Sequence, residues 1–266
     1  MKDSELIFGL MAAFAKNEYT FADLKHLTVV FNVTETSLRT NLSRMTGHNI
    51  IKTRYEGKKV FYSFTPKGSK ISNNIASSFT ALDWNNWTNL WWGVIFSVPD
   101  IQKNERYYFR KKLLAYRFAS LHPGFWIRPL HQTDQMDTNL EKIFLNPHCR
   151  VIQFNFFKKI SSQEIDDLWG ISQVNVEFKK ALKTLAESNS GLSSLSPEEA
   201  LVERMRIGNH AVVALAKNPL LPPIFLPDNW LGETLKKTFY EWDQTVTKLA
   251  WPYVRQIFEG GCNNAK

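Results

Sequence analysis

The stretch "TETSLRTNLSRM", residues 34–45, decides how this chain is read. Leu38, Leu42 and Met45 recur at i, i+4 and i+7, which on a helix makes a stripe for burial. The opposite side carries Thr36, Arg39, Thr40 and Ser43, again at helical spacing, with Arg44 beside them. A side that faces only water would be expected to hold more Glu and Lys; short hydroxyls are poorer helix formers. A helix that lies in a DNA major groove, about 12 Å wide, needs this composition instead. Glu would be repelled by phosphates, hydroxyls reach base edges or phosphate oxygens, and Arg can fork onto guanine O6 and N7.

Working outward, "NVT" reads as a tight turn, and "TFADLKHLTVVF" before it as a helix capped by Thr20. Leu6, Ile7, Leu10, Met11 and Phe14 place a first helix at 4–16, with Ser4 as its cap. "LIFGLMAAFA" also has the look of a short signal segment, but Asp3 and Glu5 stand where such a segment is basic. On the other side, "IIKTRY" and "KKVFYSF" are β-rich runs joined by "EGK", a hairpin signal. Arg54, Lys58 and Lys59 surround its turn at Gly57, while alternation turns Val60, Tyr62 and Phe64 toward a core. "TPKGSK" then leads into a polar helix at 66–80. Three helices ending in a basic hairpin are the layout of a winged helix-turn-helix, whose wing grips the backbone or the minor groove.

Charge agrees with that layout. The 266-residue chain carries a net charge of +8, and from Thr20 to Lys70 nine Lys/Arg stand against three acids. Such a cluster raises the expectation of an anionic partner. Cys149 and Cys262 are too far apart for a disulfide framework, which fits a reducing cytoplasm. No apolar run approaches the length of a bilayer span, so no membrane is expected as a partner. The six histidines show no metal-ligand spacing, and there is no Gly-rich phosphate loop, so neither metal nor cofactor is expected.

Past residue 80 the pattern changes. "WWGVIFSVPD" reads as a buried strand ended by Pro99, 101–119 as a long helix, and "GFWIRP" as a second strand. A helix near 135–146 precedes "RVIQFNFF", a third strand. The alternation predicts a ferredoxin-like α+β domain. From 163 the pattern is helical, with Ser196 and Pro197 opening one helix and 232–248 forming the last. The predicted class is therefore α+β, with a winged helix-turn-helix at 1–80, a ferredoxin-like domain at 81–162 and an all-helical domain at 163–266.

Three blocks resemble the phenylacetic acid degradation repressor (PaaX-type) regulators: "SLRTNLSRM" with "EGKKVFYSFTPKG", "WWGVIFSVPD" with "GFWIRP", and "KNPLLPPIFLPDNWLG". They fall in family order. The resemblance implies a homodimeric transcriptional repressor that binds a double-stranded DNA operator and is released by a small-molecule effector, an aryl-CoA thioester. Arg117, Phe118 and Ala119 stand where the family often has Gly-Phe-Gly. The residues expected on DNA are Thr36, Arg39, Thr40, Ser43, Arg44, Arg54, Lys58 and Lys59. Arg204, Arg206 and Trp230, around the proline-rich loop, are candidates for the effector.

Two other readings compete. Nucleases sharing the ferredoxin-like fold hold a metal on a strand-end aspartate, here Asp100, but one carboxylate makes a poor Mg²⁺ site. Catalysis is therefore not expected, and the chain reads as a non-enzyme. A DNA-binding scaffold without an effector is the other alternative. Arg106, Arg110, Lys111 and Lys112 offer a second basic surface, read first as a solvated helix side.

Overall fold

The computed structural model describes residues 1–14, 16–57, 59–77, 82–96, 103–136, 138–146 and 148–263. Lys58, Pro99 and Asp100 lie outside the described residues. The chain forms two compact units, one of Met1–Thr80, Glu177–Lys217 and Leu231–Lys266, the other of Ala81–Val176 and Asn218–Trp230. The class is α+β, with two antiparallel sheets.

The first unit opens with α1 (Asp3–Ala13), β1 (Tyr19–Thr20), α2 (Phe21–Val29) and α3 (Glu35–Gly47). β2 (Ile51–Glu56), β3 (Lys59–Phe64) and α4 (Pro66–Ser77) follow. Helix α1 begins before the expected Ser4, with Lys2 as its cap residue. The Glu5 carboxylate accepts from the Lys2 N–H at 3.0 Å, a one-sided tie, because the Lys2 ammonium can only donate. Thr20 and Thr34 cap α2 and α3 as their types predict, accepting from the N–H groups of Asp23 and Ser37 at 3.1 and 3.2 Å. Leu38, Leu42 and Met45 are buried, as are Leu6, Ile7, Leu10 and Met11 of α1, so apolar stripes bring these helices together.

The sheet has the order β1-β3-β2. Strand β1 is two residues long and shows no period of its own; it pairs Tyr19 with Tyr62 and Thr20 with Phe61. Arg54 stands opposite Phe61 and Glu56 opposite Lys59 across the hairpin, and Gly57 turns the chain with φ 58°. Val60, Tyr62 and Phe64 are half-buried rather than deep in a core, because the sheet has only three strands and one of them is two residues long. Gly68 has no room for a side chain: a Cβ there would lie 2.1 Å from the Ile50 carbonyl oxygen. Gly68→Ala is expected to lower stability by about 2 kcal/mol or more, because backbone must move to relieve the clash. Thermal denaturation followed by circular dichroism reads this directly.

Two long helices complete this unit, α9 (Pro197–Leu215) and α10 (Gly232–Asn263), which pack along each other. The end of α8 (Ile171–Gly191) joins them. Ser196 caps α9 with Pro197 in its first turn, as the sequence predicts. Helix α10 continues well past the expected end at 248 and passes through Pro252. A proline inside a helix loses one hydrogen bond, but burial of Ala250, Val254 and Ile257 along one side offsets it. The far end of α10 reaches the N-terminal helices. The Phe258 ring lies 6.4 Å from Phe14 and 6.0 Å from Tyr19, and the Tyr253 hydroxyl donates to the His26 carbonyl at 2.9 Å.

In the second unit, β4 (Trp91–Phe96), α5 (Lys103–Ala115), β5 (Ala119–His122), β6 (Phe125–Pro129), α6 (Thr138–Phe144) and β7 (Cys149–Phe154) run in chain order. The sheet order is β5-β6-β4-β7, all antiparallel, which is the strand order of a ferredoxin-like domain. One strand more is present than the sequence pattern indicates, since β5 has only four residues. Val94, Phe96, Phe109, Leu113, Trp126 and Leu140 form the core on one side. On the other side Trp91 and Ile127 pack with Ile165 of α7 (Ser162–Trp169) and with the proline-rich loop through Leu221, Phe225, Leu226 and Trp230. Arg117 adopts a left-handed backbone, φ 64°, a conformation that suits glycine better than arginine.

Candidate nucleic-acid interface

Helix α3 is fixed from its inner side. The Ser37 hydroxyl donates to Asp3 of α1, and Asn41 donates its amide to the Ser37 carbonyl at 2.9 Å. With Leu38, Leu42 and Met45 buried below, Thr36, Arg39, Thr40, Ser43 and Arg44 are all exposed. These five therefore lie together on one rigid element, and the hydroxyls and guanidiniums are open to a partner.

The arginines differ in what holds them. Glu35 accepts from Arg39 at 2.7 Å, one turn away, and from Lys25 at 2.7 Å. The Arg39 guanidinium also lies 4.1 Å from the centre of the Phe21 ring. Hydrogen bonds from Lys25 and then Arg39 hold the Glu35 carboxyl below its usual range, so this arrangement persists into mildly acidic solution. Arg39 is thus pre-oriented yet well exposed, with a side-chain exposure of 62 %. Arg44 makes no ion pair among the described residues.

In the hairpin, Arg54 is engaged more heavily than its sequence context indicates. Glu18 accepts from its Nη2 at 2.6 Å and Glu56 from its Nη1 at 2.9 Å, while its guanidinium covers Phe61 at 4.4 Å. These bonds push the Arg54 pKa further up and hold the Glu18 carboxyl down. Lys52 and Lys59 are exposed, with no ion-pair partner among the described residues. Glu18→Gln is expected to raise affinity for any duplex by about twofold to fivefold, by removing one negative charge and loosening Arg54. A titration of labelled duplex at fixed salt measures it. The i−4 spacing of Glu35 and the two-residue spacing of Glu56 are signals a reader of the sequence can use; Glu18, at 36 residues from Arg54, gives none.

The residues considered for an effector are each engaged within their own unit. Arg204 gives two hydrogen bonds to Asp243, at 2.8 and 3.1 Å, and covers the Phe14 ring. Arg206 pairs with Glu203 on the surface. Trp230 belongs to the apolar cluster of the second unit. On α5, Arg110, Lys111 and Lys112 are exposed and Arg106 is half-buried. Among the described residues, no group of three or more His, Cys, Asp or Glu could hold a metal ion, and no helix is long and apolar enough to cross a membrane.

Comparisons with known proteins agree on family. Residues 84–165 match the PaaX protein central Cas2-like domain, and residues 167–256 the PaaX-like protein C-terminal domain. The transcriptional repressor PaaX of Escherichia coli (strain K12) is 20% identical over 230 residues, 84% of this chain and 72% of that protein. The uncharacterized protein Rv0674 from Mycobacterium tuberculosis has a solved structure similar to this one, with a TM-score of 0.61 at 20% identity. That likeness, one of fold, covers 93% of this chain and 96% of the other.

Proposed function

Because the chain belongs to the PaaX-type family, we propose that it is a transcriptional repressor whose N-terminal module is a winged helix-turn-helix that reads DNA through α3. That module lies outside both matched domains, so its own geometry carries the reading. The observation that carries it is the exposed row of Thr36, Arg39, Thr40, Ser43 and Arg44 beside a basic hairpin. In this reading α2 and α3 form the helix-turn-helix, α3 enters the major groove, and β2–β3 is the wing. Arg54, Lys58 and Lys59 then face the backbone or the minor groove.

A homodimer on an inverted repeat places two copies of α3 about one helical turn, roughly 34–36 Å, apart. A small-molecule effector, of the aryl-CoA thioester class such as phenylacetyl-CoA, releases the operator by binding the DNA-incompetent arrangement more tightly. The protein is a regulator rather than an enzyme, working in the cytoplasm.

The test is a footprint on the region upstream of the protein's own gene, followed by titration at several salt concentrations. Two protected half-sites about one turn apart are expected. The log–log salt slope should be steep and should flatten by about 0.9 in Lys59→Ala, which neutralises one phosphate fewer. Absence of any protected sequence, or a slope near zero, overturns the proposal.

A further inference from the structure

The positive charge of the chain is concentrated in two segments, and only one of them belongs to the N-terminal module. Residues 101–119 carry six Lys/Arg against one acid. Together with residues 20–70 they hold fifteen cations and four acids, whereas the rest of the chain holds eighteen cations and twenty-one acids. The whole surplus of +8 therefore comes from these two segments. The second is centred on α5, in the other compact unit.

Helix α5 is fixed from its inner side by Phe109 and Leu113, both buried, with the Phe109 ring stacked 3.9 Å from that of Phe96. Its outward side carries two rows in which ring and cation alternate. Tyr107, Lys111 and Leu114 stand at i, i+4 and i+7, and Tyr108 and Lys112 at i and i+4, with Arg110 on the flank. Tyr107 is 54 % exposed, Tyr108 64 % and Leu114 56 %, an apolar patch that a side meeting only water has no use for. The Lys111 ammonium lies 4.5 Å from the centre of the Tyr107 ring, and the two tyrosine rings meet edge to face at 5.7 Å, so the rings and the cation orient one another. Arg110, Lys111 and Lys112 make no ion pair among the described residues. Glu105, the acid of this helix, sits in the first turn, 3.9 Å from the His148 ring.

Uncompensated cations in rows along a convex helix suit a polyanion whose charges repeat along a ridge. A DNA duplex carries one charge for about every 1.7 Å of its axis, and the 13-residue α5 is about 20 Å long, so several phosphates come within its reach. Lys and Arg give charge-assisted bonds to phosphate oxygens and tyrosine hydroxyls donate to them as well, while the ring faces and Leu114 offer apolar surface to the sugars. We propose that the outward side of α5 is a second contact for duplex DNA, which grips phosphate and sugar through Arg110, Lys111, Lys112, Tyr107 and Tyr108 without reading bases. It rests on the reading of the chain as a DNA-binding protein and adds to α3 and the hairpin a site in the ferredoxin-like unit.

Anisotropy titrations of the full chain on labelled operator and scrambled duplexes of about 40 base pairs, at several salt concentrations, test the contact. The double variant Lys111→Gln, Lys112→Gln is expected to weaken both duplexes alike, by at least about tenfold near physiological salt, and to flatten the log–log salt slope by about 1.8, or 0.9 for each phosphate released. Lys179→Gln with Lys180→Gln removes the same charge from an adjacent exposed pair on α8 and should change the slope by less than half as much. Tyr107→Ala with Tyr108→Ala should cost about threefold on both duplexes and leave the slope unchanged, since no charge is lost. All six positions are exposed, so the variants keep the fold, which circular dichroism verifies. Wild-type affinity and slope in the Lys111, Lys112 variant overturn the contact, and so does an equal loss in the Lys179, Lys180 variant, which would make the effect one of net charge alone. A thymidine oligonucleotide of the same length bound as tightly as duplex, and released by the tyrosine variant, overturns the duplex in favour of a single strand stacked on the rings. If the unaltered chain binds no duplex, the DNA reading falls and this contact with it; if it binds and only the α5 variants are without effect, the second contact alone is lost.

Discussion

Arg39→Ala is expected to weaken binding to the operator by about tenfold to a hundredfold, while binding to unrelated duplex changes far less. The asymmetry follows from the proposed role. Arg39 lies on the exposed side of α3, with Glu35 at 2.7 Å and the Phe21 ring at 4.1 Å fixing its direction. A guanidinium fixed in this way can present two parallel donors to guanine, a geometry that disappears with the side chain. Arg39→Lys should not restore it, because an ammonium keeps the charge but not the fork. Arg44→Ala provides the comparison: a side chain that only grips phosphate weakens all sequences alike when it is removed, and flattens the salt slope by about 0.9. Anisotropy titrations on operator and scrambled duplexes separate the two. If Arg39→Ala weakens both duplexes equally, the side chain grips backbone and does not read bases.

The second large effect concerns stability. Trp91→Ala is expected to destabilise the ferredoxin-like unit by about 3–5 kcal/mol. Trp91 is 2 % exposed at the start of the central strand β4. Its ring meets Phe156 at 5.2 Å, Phe225 at 5.5 Å, Trp87 at 5.9 Å and Trp169 at 6.2 Å. Truncation removes the indole's own burial and leaves four rings around a cavity that a β-sheet cannot collapse to fill. Urea unfolding followed by near-ultraviolet circular dichroism is the suitable measurement, since seven of the nine tryptophans belong to this unit. Trp91→Phe should recover part of the loss. A midpoint shift equivalent to less than about 1 kcal/mol in the alanine variant would mean that the cluster repacks around the gap.

The proline-rich loop admits two uses on its sequence alone. Prolines at 219, 222, 223 and 227 limit the backbone, and the sequence allows either a wall for an acyl group or a packed cap. Leu221 is buried, and Phe225, Leu226 and Trp230 pack with Trp91 and Ile127, so this loop's apolar side chains are engaged in the core of the second unit. Arg117 illustrates a different limit. Its φ of 64° is a backbone that suits glycine, yet nothing in the sequence here marks the position as left-handed.

Local features could be read from the residues alone. The stripe of Leu38, Leu42 and Met45, the caps at Thr20, Thr34 and Ser196, the Gly57 turn and the clustering of cations all act within a few residues, where periodicity and side-chain chemistry fix the outcome. The rest waited on folding. Strands β1 and β5 are too short to show a period and are held by partners met only in the folded chain. Helix α10 outlasts Pro252 because one side of it is buried, which no local propensity foretells. Arg54 is drawn off by Glu18 and Lys59 is left open because electrostatics acts through space, and a carboxylate brought within 3 Å by the fold outweighs any neighbour in sequence.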